Sequence, residues 1–234
     1  MATYVLVHGA WSGAHSFRAV RRPLHAAGHD VFTPSLTGIG ERAHLTSPQV
    51  NLTTHIRDVV NVILYEDLTD IVLLGFSYGG FVVTGALEHI ARRVRHLVYL
   101  DAFVPDDGDT LLSLAGRDDI EVLEIGQAWL VPPPTREYDD PEEAAFTDAR
   151  RTPHPIDCFT ERVHLRQQLE NYPFTRTYIK ATADAADAPG ATAFWTAADR
   201  AKSSPKWRYR EVATNHMVPN NRPRELAELL LELT

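Results

Sequence analysis

The sequence predicts an α/β fold built on a mainly parallel sheet, and two observations support this. Short apolar runs rich in Val, Ile, Leu and Tyr alternate with amphipathic segments, which is the pattern of β-α-β units. The 234 residues, of which 44% are hydrophobic and 23% charged, fit one globular domain with a sizeable core. The chain is therefore expected to form one parallel sheet with helices packed against it.

The apolar runs place the strands, and the helical periodicity places the helices. Strands are predicted at residues 4–7, 30–33, 71–76, 96–100, 176–181 and 207–212. Helices are predicted between residues 11 and 27 and at residues 53–65, 81–94 and 222–233. Between residues 104 and 173 the chain becomes irregular, acidic and punctuated by prolines, and a stretch this long inside a compact fold predicts an inserted lid with short helices. The predicted domains are a core of residues 1–103 and 174–234 and a lid of residues 104–173.

Composition argues against several classes of partner. The formal net charge of −8 and the scattered arginines disfavour a nucleic-acid backbone or an anionic membrane as a partner. No apolar segment is long enough to span a bilayer, and residues 1–8 enter a strand-like run without the basic start of a secretion signal. Cys158 is the only cysteine, which fits a reducing cytoplasm. His25 and His29 are four residues apart, but Gly28 would break a metal-binding helix face, so no metal site is expected.

The segment Gly75-Phe76-Ser77-Tyr78-Gly79 lies between an apolar run and a helix-like stretch. This G-x-S-x-G pattern, placed between strand and helix, is typical of a nucleophile elbow, in which the serine occupies a strained turn. The two glycines keep side chains from colliding where the chain reverses. Ser77 is therefore the predicted nucleophile.

A serine hydroxyl is a weak nucleophile unless a base removes its proton, so Ser77 predicts a histidine later in the chain. Among 11 histidines, only His216 lies directly after a late predicted strand and before the last helix. That position is at the carboxyl edge of the sheet, where the elbow is also expected. His216 is the predicted base.

The acid that orients the base has more than one candidate. Asp101 directly follows the strand at 96–100, next to the strand that carries Ser77, and is the first choice. Asp184 lies a few residues beyond the strand at 176–181 and is the alternative, with Asp187 competing nearby. The sequence leaves these three open.

Two backbone N–H groups are expected to hold the oxyanion of an ester intermediate. Tyr78, directly after the nucleophile, should supply one, and Ala10, in the loop after the first strand, the other. Trp11 in the same loop is a candidate for the pocket wall. From the lid, Trp129, Tyr138, His154 and Phe159 are candidate substrate contacts.

The elbow, the opening Val5-Leu6-Val7-His8-Gly9-Ala10-Trp11 and the closing Asn215-His216-Met217 together resemble the α/β-hydrolase superfamily. They look most like the plant methylesterase and hydroxynitrile lyase group and its bacterial esterase relatives. The resemblance covers nearly the whole chain and is weak across the lid. It implies an α/β-hydrolase fold with six mainly parallel strands, no cofactor, and a small-molecule ester substrate.

Two positions separate esterase from lyase in this resemblance. The lyases carry a threonine after the loop histidine and a lysine directly after the catalytic histidine, where this chain has Gly9 and Met217. Without a cation beside His216, a departing cyanide has no electrostatic partner, whereas ester hydrolysis needs none. Gly9 and Met217 also count among the expected substrate contacts.

The resemblance does not identify which aspartate orients His216, because related enzymes place this acid at different strand ends. The plant branch keeps its acid after the later strand. Haloalkane dehalogenases use the strand end that corresponds to Asp101, but their nucleophile is an aspartate, which Ser77 argues against.

The sequence thus predicts a cytoplasmic serine carboxylesterase for small to medium esters, working through a Ser-His-Asp triad and an acyl-enzyme. A lyase that cleaves a C–C bond is one alternative. A catalytically weak small-molecule receptor on the same fold is the other.

Overall fold

The computed structural model describes residues 1–116, 129–185, 187–188 and 190–233. One sheet of six parallel strands forms its centre. Its strands are β1 (Thr3–Val7), β2 (Asp30–Phe32), β3 (Ile71–Phe76), β4 (Val94–Leu100), β7 (Thr175–Ala181) and β8 (Arg208–Val212). They lie side by side in the order β2-β1-β3-β4-β7-β8. Two short strands, β5 (Leu130–Val131) and β6 (His154–Pro155), pair antiparallel in a second sheet. The predicted fold of about six mainly parallel strands is confirmed.

Helices cover both faces of the central sheet. They are α1 (Arg18–Ala26), α2 (Leu52–Tyr65), α3 (Gly79–Ile90), α4 (Leu111–Leu114), α5 (Pro141–Asp148), α6 (Asp157–Thr160), α7 (Ala191–Ser203), α8 (Val218–Asn221) and α9 (Pro223–Leu231). Short stretches of 3₁₀ helix occur at Ala14–Phe17, Gly40–Leu45, Ala91–Arg93 and Leu169–Asn171. None of the helices in the described ranges is long and apolar enough to cross a membrane.

Alternation along the strands divides the core into two layers. Val5 and Leu73 face the layer that contains α2, α3 and α7, whereas Leu6 and Leu74 face the layer that contains α1 and α9. Every residue of β3 is buried, as expected for a parallel strand with helices on both sides. The strand that leads to Ser77 therefore lies at the centre of the core.

Most predicted elements agree with the structure, with shifts at their ends. The helix predicted at 81–94 is Gly79–Ile90, because Val94 already pairs with Ile71 as the first residue of β4. The helix predicted at 222–233 is α9 (Pro223–Leu231), and α8 precedes it, since Arg222 has φ −132° and ψ 48°, outside the helical region. Helix α7 was not predicted, although Phe194, Ala197, Ala198 and Ala201 form a buried stripe at helical spacing.

The segment between β4 and β7 contains the short elements α4, β5, α5, β6 and α6. Residues 117–128 within it lie outside the described residues. The structure attaches the segment to the core through Trp11, whose indole N–H donates to the Val131 carbonyl at 2.9 Å and whose own carbonyl accepts from Thr152 N–H at 3.1 Å. Its assignment as a lid stays a prediction.

Glycines permit the close crossing of strand and helix at the elbow. A Cβ atom at Gly75 would lie 2.6 Å from the Gly79 carbonyl oxygen, and one at Gly79 would lie 2.7 Å from the Val7 carbonyl oxygen. A Cβ at Gly80 would lie 2.1 Å from the Phe103 carbonyl oxygen. Since these are backbone atoms, no rotamer change can relieve the clash.

We expect Gly75→Ala to lower the free energy of unfolding by more than about 2 kcal/mol, because overpacking against backbone forces the chain to shift. Gly28→Ala is the matched control. Gly28 has φ +82°, and no atom would lie within 4 Å of a Cβ added there, so its substitution carries only the backbone strain of about 1 kcal/mol. Urea unfolding monitored by circular dichroism measures both. Equal losses in the two variants would contradict the clash.

Candidate active site

Four loops meet at the carboxyl edge of the central sheet, where ligands bind in open α/β sheets. The loop after β1 carries Ala10, the loop after β3 carries Ser77, the end of β4 carries Asp101, and the loop after β8 carries His216. Asp101 is fully buried, and Ser77 and His216 are 7% and 4% exposed. The parallel sheet thus gathers residues that are far apart in the chain.

Ser77 occupies a strained turn between β3 and α3. Its φ of 55° lies in the left-handed region, which costs a residue with a side chain on the order of 1–3 kcal/mol. Its N–H donates to the Leu100 carbonyl at 3.2 Å, and its carbonyl accepts from Gly80 N–H at 3.0 Å and from Phe103 N–H at 3.3 Å. These bonds tie the turn to the end of β4 and to α3, so the strained conformation is held from both sides.

Ser77, His216 and Asp101 form a continuous hydrogen-bonded line. Asp101 Oδ2 lies 2.7 Å from His216 Nδ1, and His216 Nε2 lies 2.9 Å from Ser77 Oγ. Because an ionised carboxylate can only accept, Nδ1 carries the proton and Nε2 is left to accept from the serine hydroxyl. This is the arrangement in which an imidazole can remove a proton from the nucleophile.

Two phenylalanine rings pack against the imidazole of His216. The Phe194 ring stacks on it with a centroid separation of 4.8 Å and an interplanar angle of 7°. For the Phe76 ring, the separation is 4.9 Å and the angle 31°. Neither ring was predicted to be part of the site. Phe76 stands inside the elbow motif itself, whereas Phe194 belongs to the unpredicted helix α7.

Of the three aspartates considered from the sequence, Asp101 is the one hydrogen-bonded to His216 among the described residues. A carboxylate oxygen of Asp184 lies within 4.8 Å of the ligand atoms of both Asp101 and His216, without a hydrogen bond to either. Asp187 lines the cavity instead. Asp101 itself has φ 38°, and its N–H donates to the Ile179 carbonyl at 2.7 Å, so the end of β4 is bound to β7.

The electrostatics of the site keep the histidine neutral and the aspartate ionised. Burial lowers the pKa of His216 below its ordinary 6.5, and the charge of Arg136 adds to this, although Asp101 opposes it. Burial alone would raise the pKa of Asp101, but the hydrogen bond from His216 and the charge of Lys180 outweigh it, so the pKa lies below its usual range. Both groups are then in the form that general base catalysis needs.

Ala10 and Tyr78, whose backbone N–H groups are the predicted oxyanion donors, line the cavity together with Ser77. Within the described part of the chain, neither donates to a protein acceptor, so both are available to a ligand. The buried His8 braces the first loop: its Nδ1 lies 2.9 Å from the Gly9 carbonyl oxygen, and its Nε2 accepts from Leu36 N–H at 3.2 Å. Burial lowers the pKa of His8 to about 4, which keeps this brace uncharged.

A polar cluster holds the Tyr78 side chain. The Tyr78 hydroxyl lies 2.9 Å from His55 Nδ1, and His55 Nε2 donates to the Thr37 carbonyl oxygen at 2.7 Å. His154 and Cys158 pack beside His55, deeply buried, and the potential ligand atoms of the three lie within 4.8 Å of one another. Both nitrogens of His55 are already engaged in hydrogen bonds, so this cluster serves to fix the residue that follows the nucleophile.

A cavity of about 330 Å³ opens beside Ser77. Five aromatic side chains lie on its described wall: Trp11, Tyr78, Phe103, Phe159 and Phe194. Trp11 and Phe159 were predicted as substrate contacts and lie on this wall. Gly9, Trp129 and Met217 do not line it as described, and their role as substrate contacts stays a prediction. The same holds for Tyr138 and His154.

Gly9 nevertheless lies directly against the nucleophile. A Cβ atom at this position would be 3.0 Å from Ser77 Cβ and 3.3 Å from the Phe76 carbonyl oxygen. A larger residue there would require the elbow to move.

Arg136 is the main residue that sequence reasoning missed in the cavity. It is half-buried and lines the cavity, and among the described residues it has no hydrogen bond or ion pair. Its sequence neighbours are prolines and polar residues, which carry no periodic signal, so only the folded chain brings it beside His216.

The sequence of residues 4–229 matches the model of the alpha/beta hydrolase family. The chain belongs to this family. Its relatives and structural neighbours include plant methylesterases, a hydroxynitrile lyase and bacterial esterases, which is the group that the motifs resemble.

Among the relatives, the carbendazim hydrolyzing esterase of Nocardioides sp. (strain SG-4G) is 54% identical over 114 residues, which are 49% of this chain and 47% of that protein. Methylesterase 1 of Arabidopsis thaliana is 32% identical over 114 residues, or 44% of this chain and 40% of that protein. The matched region thus spans about half the length of these curated relatives.

Solved structures agree in fold over the whole chain. An extracellular alpha/beta-hydrolase from a Paenibacillus species superposes with a TM-score of 0.79 at 21% identity, covering 100% of this chain and 99% of that one. A methylesterase protein from Arabidopsis superposes with a TM-score of 0.74 at 22% identity, covering 99% and 98%. At these identities the likeness concerns the fold.

We expect the imidazole of His216 to titrate below its ordinary pKa of 6.5, because burial and the positive charge of Arg136 both disfavour the imidazolium. Arg136→Gln removes that charge and should raise the pKa. NMR titration of the His216 ring measures both values. Arg57→Gln, on the exposed side of α2, is the control and should leave the titration unchanged. An unchanged pKa in Arg136→Gln would contradict the assigned cause.

Proposed function

We propose that this protein is a serine carboxylesterase acting on small to medium esters. The observation that carries the proposal is the hydrogen-bonded line from Ser77 through His216 to Asp101, with its 2.9 Å and 2.7 Å contacts, at the edge of a cavity. The names of the relatives support the same class of reaction, since they include several esterases. Ser77 serves as nucleophile, His216 as base and Asp101 as the acid that orients the base.

In the first half of the reaction, Ser77 Oγ forms a bond to the ester carbonyl carbon while its proton passes to His216 Nε2. The carbonyl π bond opens onto oxygen, and the Ala10 and Tyr78 N–H groups donate to the resulting oxyanion. His216 then returns the proton to the leaving alcohol as the C–O bond breaks. An acyl-enzyme on Ser77 remains.

Water completes the cycle by the same route. His216 removes a proton from the water as the water oxygen bonds to the acyl carbon. The Ala10 and Tyr78 amides hold the second oxyanion. The bond between the acyl carbon and Ser77 Oγ then breaks as His216 returns the proton to Oγ. A carboxylic acid leaves. The residues end in the protonation states in which they began.

The cavity supports modest substrates with apolar groups. Its volume of about 330 Å³ is near the lower end of the range of ligand pockets, about 300–1,000 Å³, and its wall consists mainly of aromatic and aliphatic side chains. We propose that residues 104–173 act as the lid of this cavity, because Val131 and Phe159 of that segment line it beside Trp11.

The free thiol of Cys158 supports a cytoplasmic location, since thiols persist in reducing compartments.

Lyase chemistry is the less favoured alternative. Gly9 provides no hydroxyl beside the nucleophile, and Met217 stands where the lyases carry a lysine directly after the catalytic histidine, although Arg136 brings a positive charge to the same cavity. A pure receptor would need the cavity but neither an activated serine nor a neutral base. Assaying benzaldehyde release from mandelonitrile, and ligand binding without turnover, distinguishes these alternatives from hydrolysis.

We expect Ser77→Ala to lower kcat on a p-nitrophenyl ester by about 10⁴-fold or more, because the acyl-enzyme can no longer form. The wild type should show a burst of p-nitrophenol stoichiometric with active sites, and a phosphonate should label Ser77. A panel of short esters, lactones and carbendazim then defines the substrate. Full activity in Ser77→Ala would refute the proposal.

We expect Asp101→Asn to lower kcat by about 10³- to 10⁴-fold, since an amide cannot stabilise the imidazolium and favours the wrong tautomer. Asp184→Asn is the matched control, because its carboxylate is near His216 but not hydrogen-bonded to it, and it should lose less than about tenfold. Steady-state kinetics on the same ester measure both. Collapse of activity in Asp184→Asn alone would transfer the role of the acid to Asp184.

A further inference from the structure

Lys180 of β7 places an ammonium group in the interior of the protein, directly behind the proposed triad. Its side chain is 1% exposed. Burying a cation is costly unless strong partners surround it, so its presence requires a reason. Sequence reasoning did not single it out, because a lysine within a predicted strand is ordinarily assigned to the solvent-facing side.

The partner of Lys180 is the carboxylate that His216 uses. Lys180 Nζ donates to Asp101 Oδ1 at 2.7 Å, while His216 Nδ1 binds Asp101 Oδ2 at 2.7 Å. The Ala181 N–H donates to the same Oδ1 at 3.2 Å. Each oxygen of the carboxylate therefore has its own donors, and the plane of the carboxylate is determined by them.

The position of the ammonium is fixed by two further contacts. Lys180 Nζ also donates to the Ala181 carbonyl oxygen, and it lies 4.6 Å from the centre of the Trp195 ring, a distance typical of a cation–π interaction. Lys180 is not part of the described cavity wall, so a substrate in the cavity does not touch it.

We propose that Lys180 is a positioning residue of the triad: it orients the Asp101 carboxylate toward His216 and offsets part of the negative charge that His216 experiences. This inference rests on the proposed esterase function. Asp101 stands at the end of β4, and Lys180 on the neighbouring β7 is the residue that makes an acid at this strand end usable. A cation on one oxygen leaves the other oxygen as the acceptor for Nδ1.

Several other charged or titratable groups also act on this pair. They are Asp184, close to Asp101 and His216; Arg136, whose charge reaches His216; Tyr178 and Tyr209, near Asp101; Glu211, near Lys180; and Lys202, which shares the Trp195 ring. Among these described neighbours, none forms a hydrogen bond to the Asp101 carboxylate. Lys180 therefore has the most direct effect after His216 itself.

The test replaces Lys180 in the full-length enzyme and measures the pH dependence of kcat/KM with a p-nitrophenyl ester. In Lys180→Met, the negative charge of Asp101 is no longer offset, so the protonated form of His216 is favoured. The acidic limb of the profile of kcat/KM against pH should therefore move to higher pH by about one unit. The value of kcat should fall at the optimum while KM stays within about twofold, since the cavity is unchanged. Lys180→Arg keeps the charge and should keep the acidic limb of the wild type.

Lys202→Met is the matched control. Lys202 Nζ lies 5.6 Å from the same Trp195 ring, but its side chain is 42% exposed and it is not bound to Asp101. Its substitution should leave the acidic limb in place. If Lys180→Met does not fold, Lys180→Gln replaces it, because the amide still donates a hydrogen bond but carries no charge. An acidic limb identical to that of the wild type in the neutral variant overturns the proposal.

Failure of this inference can be told apart from failure of the esterase function. Burst release by the wild type and its loss in Ser77→Ala test the function independently of Lys180. If no ester is turned over, NMR titration of the His216 ring in wild type, Lys180→Met and Lys202→Met still measures whether Lys180 controls the imidazole. An unchanged titration in the Lys180 variant overturns the inference whatever the substrate.

Discussion

The shared carboxylate of Asp101 is the interaction on which the rest of the site depends. It accepts from His216 on one oxygen and from Lys180 and the Ala181 N–H on the other. Its own backbone N–H is bound to β7 through Ile179, and the preceding carbonyl, that of Leu100, accepts from Ser77 N–H. The end of β4 thus connects the nucleophile, the base and the neighbouring strand through hydrogen bonds in a water-poor interior, where each is strengthened.

Three residues around this point have a backbone conformation that side chains disfavour. Trp11, Ser77 and Asp101 all have positive φ, at 60°, 55° and 38°. Each costs on the order of 1–3 kcal/mol, which the surrounding core must offset. That support comes from the fully buried β3, from the strands paired on either side of it, and from the glycines that let α3 pack closely against the backbone. Three of the five described non-glycine residues with positive φ thus lie at the edge of the sheet that carries the candidate site.

The segment between β4 and β7 contributes part of the cavity wall and a positive charge near His216. It adds Phe159, Val131 and Arg136 to the cavity and is attached to the first loop by Trp11. Arg136 also brings positive charge close to His216. The residues proposed for the chemistry thus lie at the edge of the sheet, and the segment between β4 and β7 shares the cavity wall with the first loop and helix α7.

Patterns in the sequence predict the fold, which is confirmed, and propose Ser77 and His216 for the candidate site, where the structure brings the two side chains within 2.9 Å of each other. The alternation of apolar runs predicts the parallel sheet, and the elbow motif predicts Ser77, because both are patterns within a few consecutive residues. The position of His216 between the last strand and the last helix predicts it as the base. Even the unpredicted helix α7 carries a buried stripe at helical spacing. Tertiary structure alone decided that Asp101 rather than Asp184 binds His216, that Phe194 stacks on the imidazole, and that Lys180 and Arg136 bring charge to it. These are contacts between residues distant in sequence, and their distances and burial exist only once the strands are paired and the helices packed.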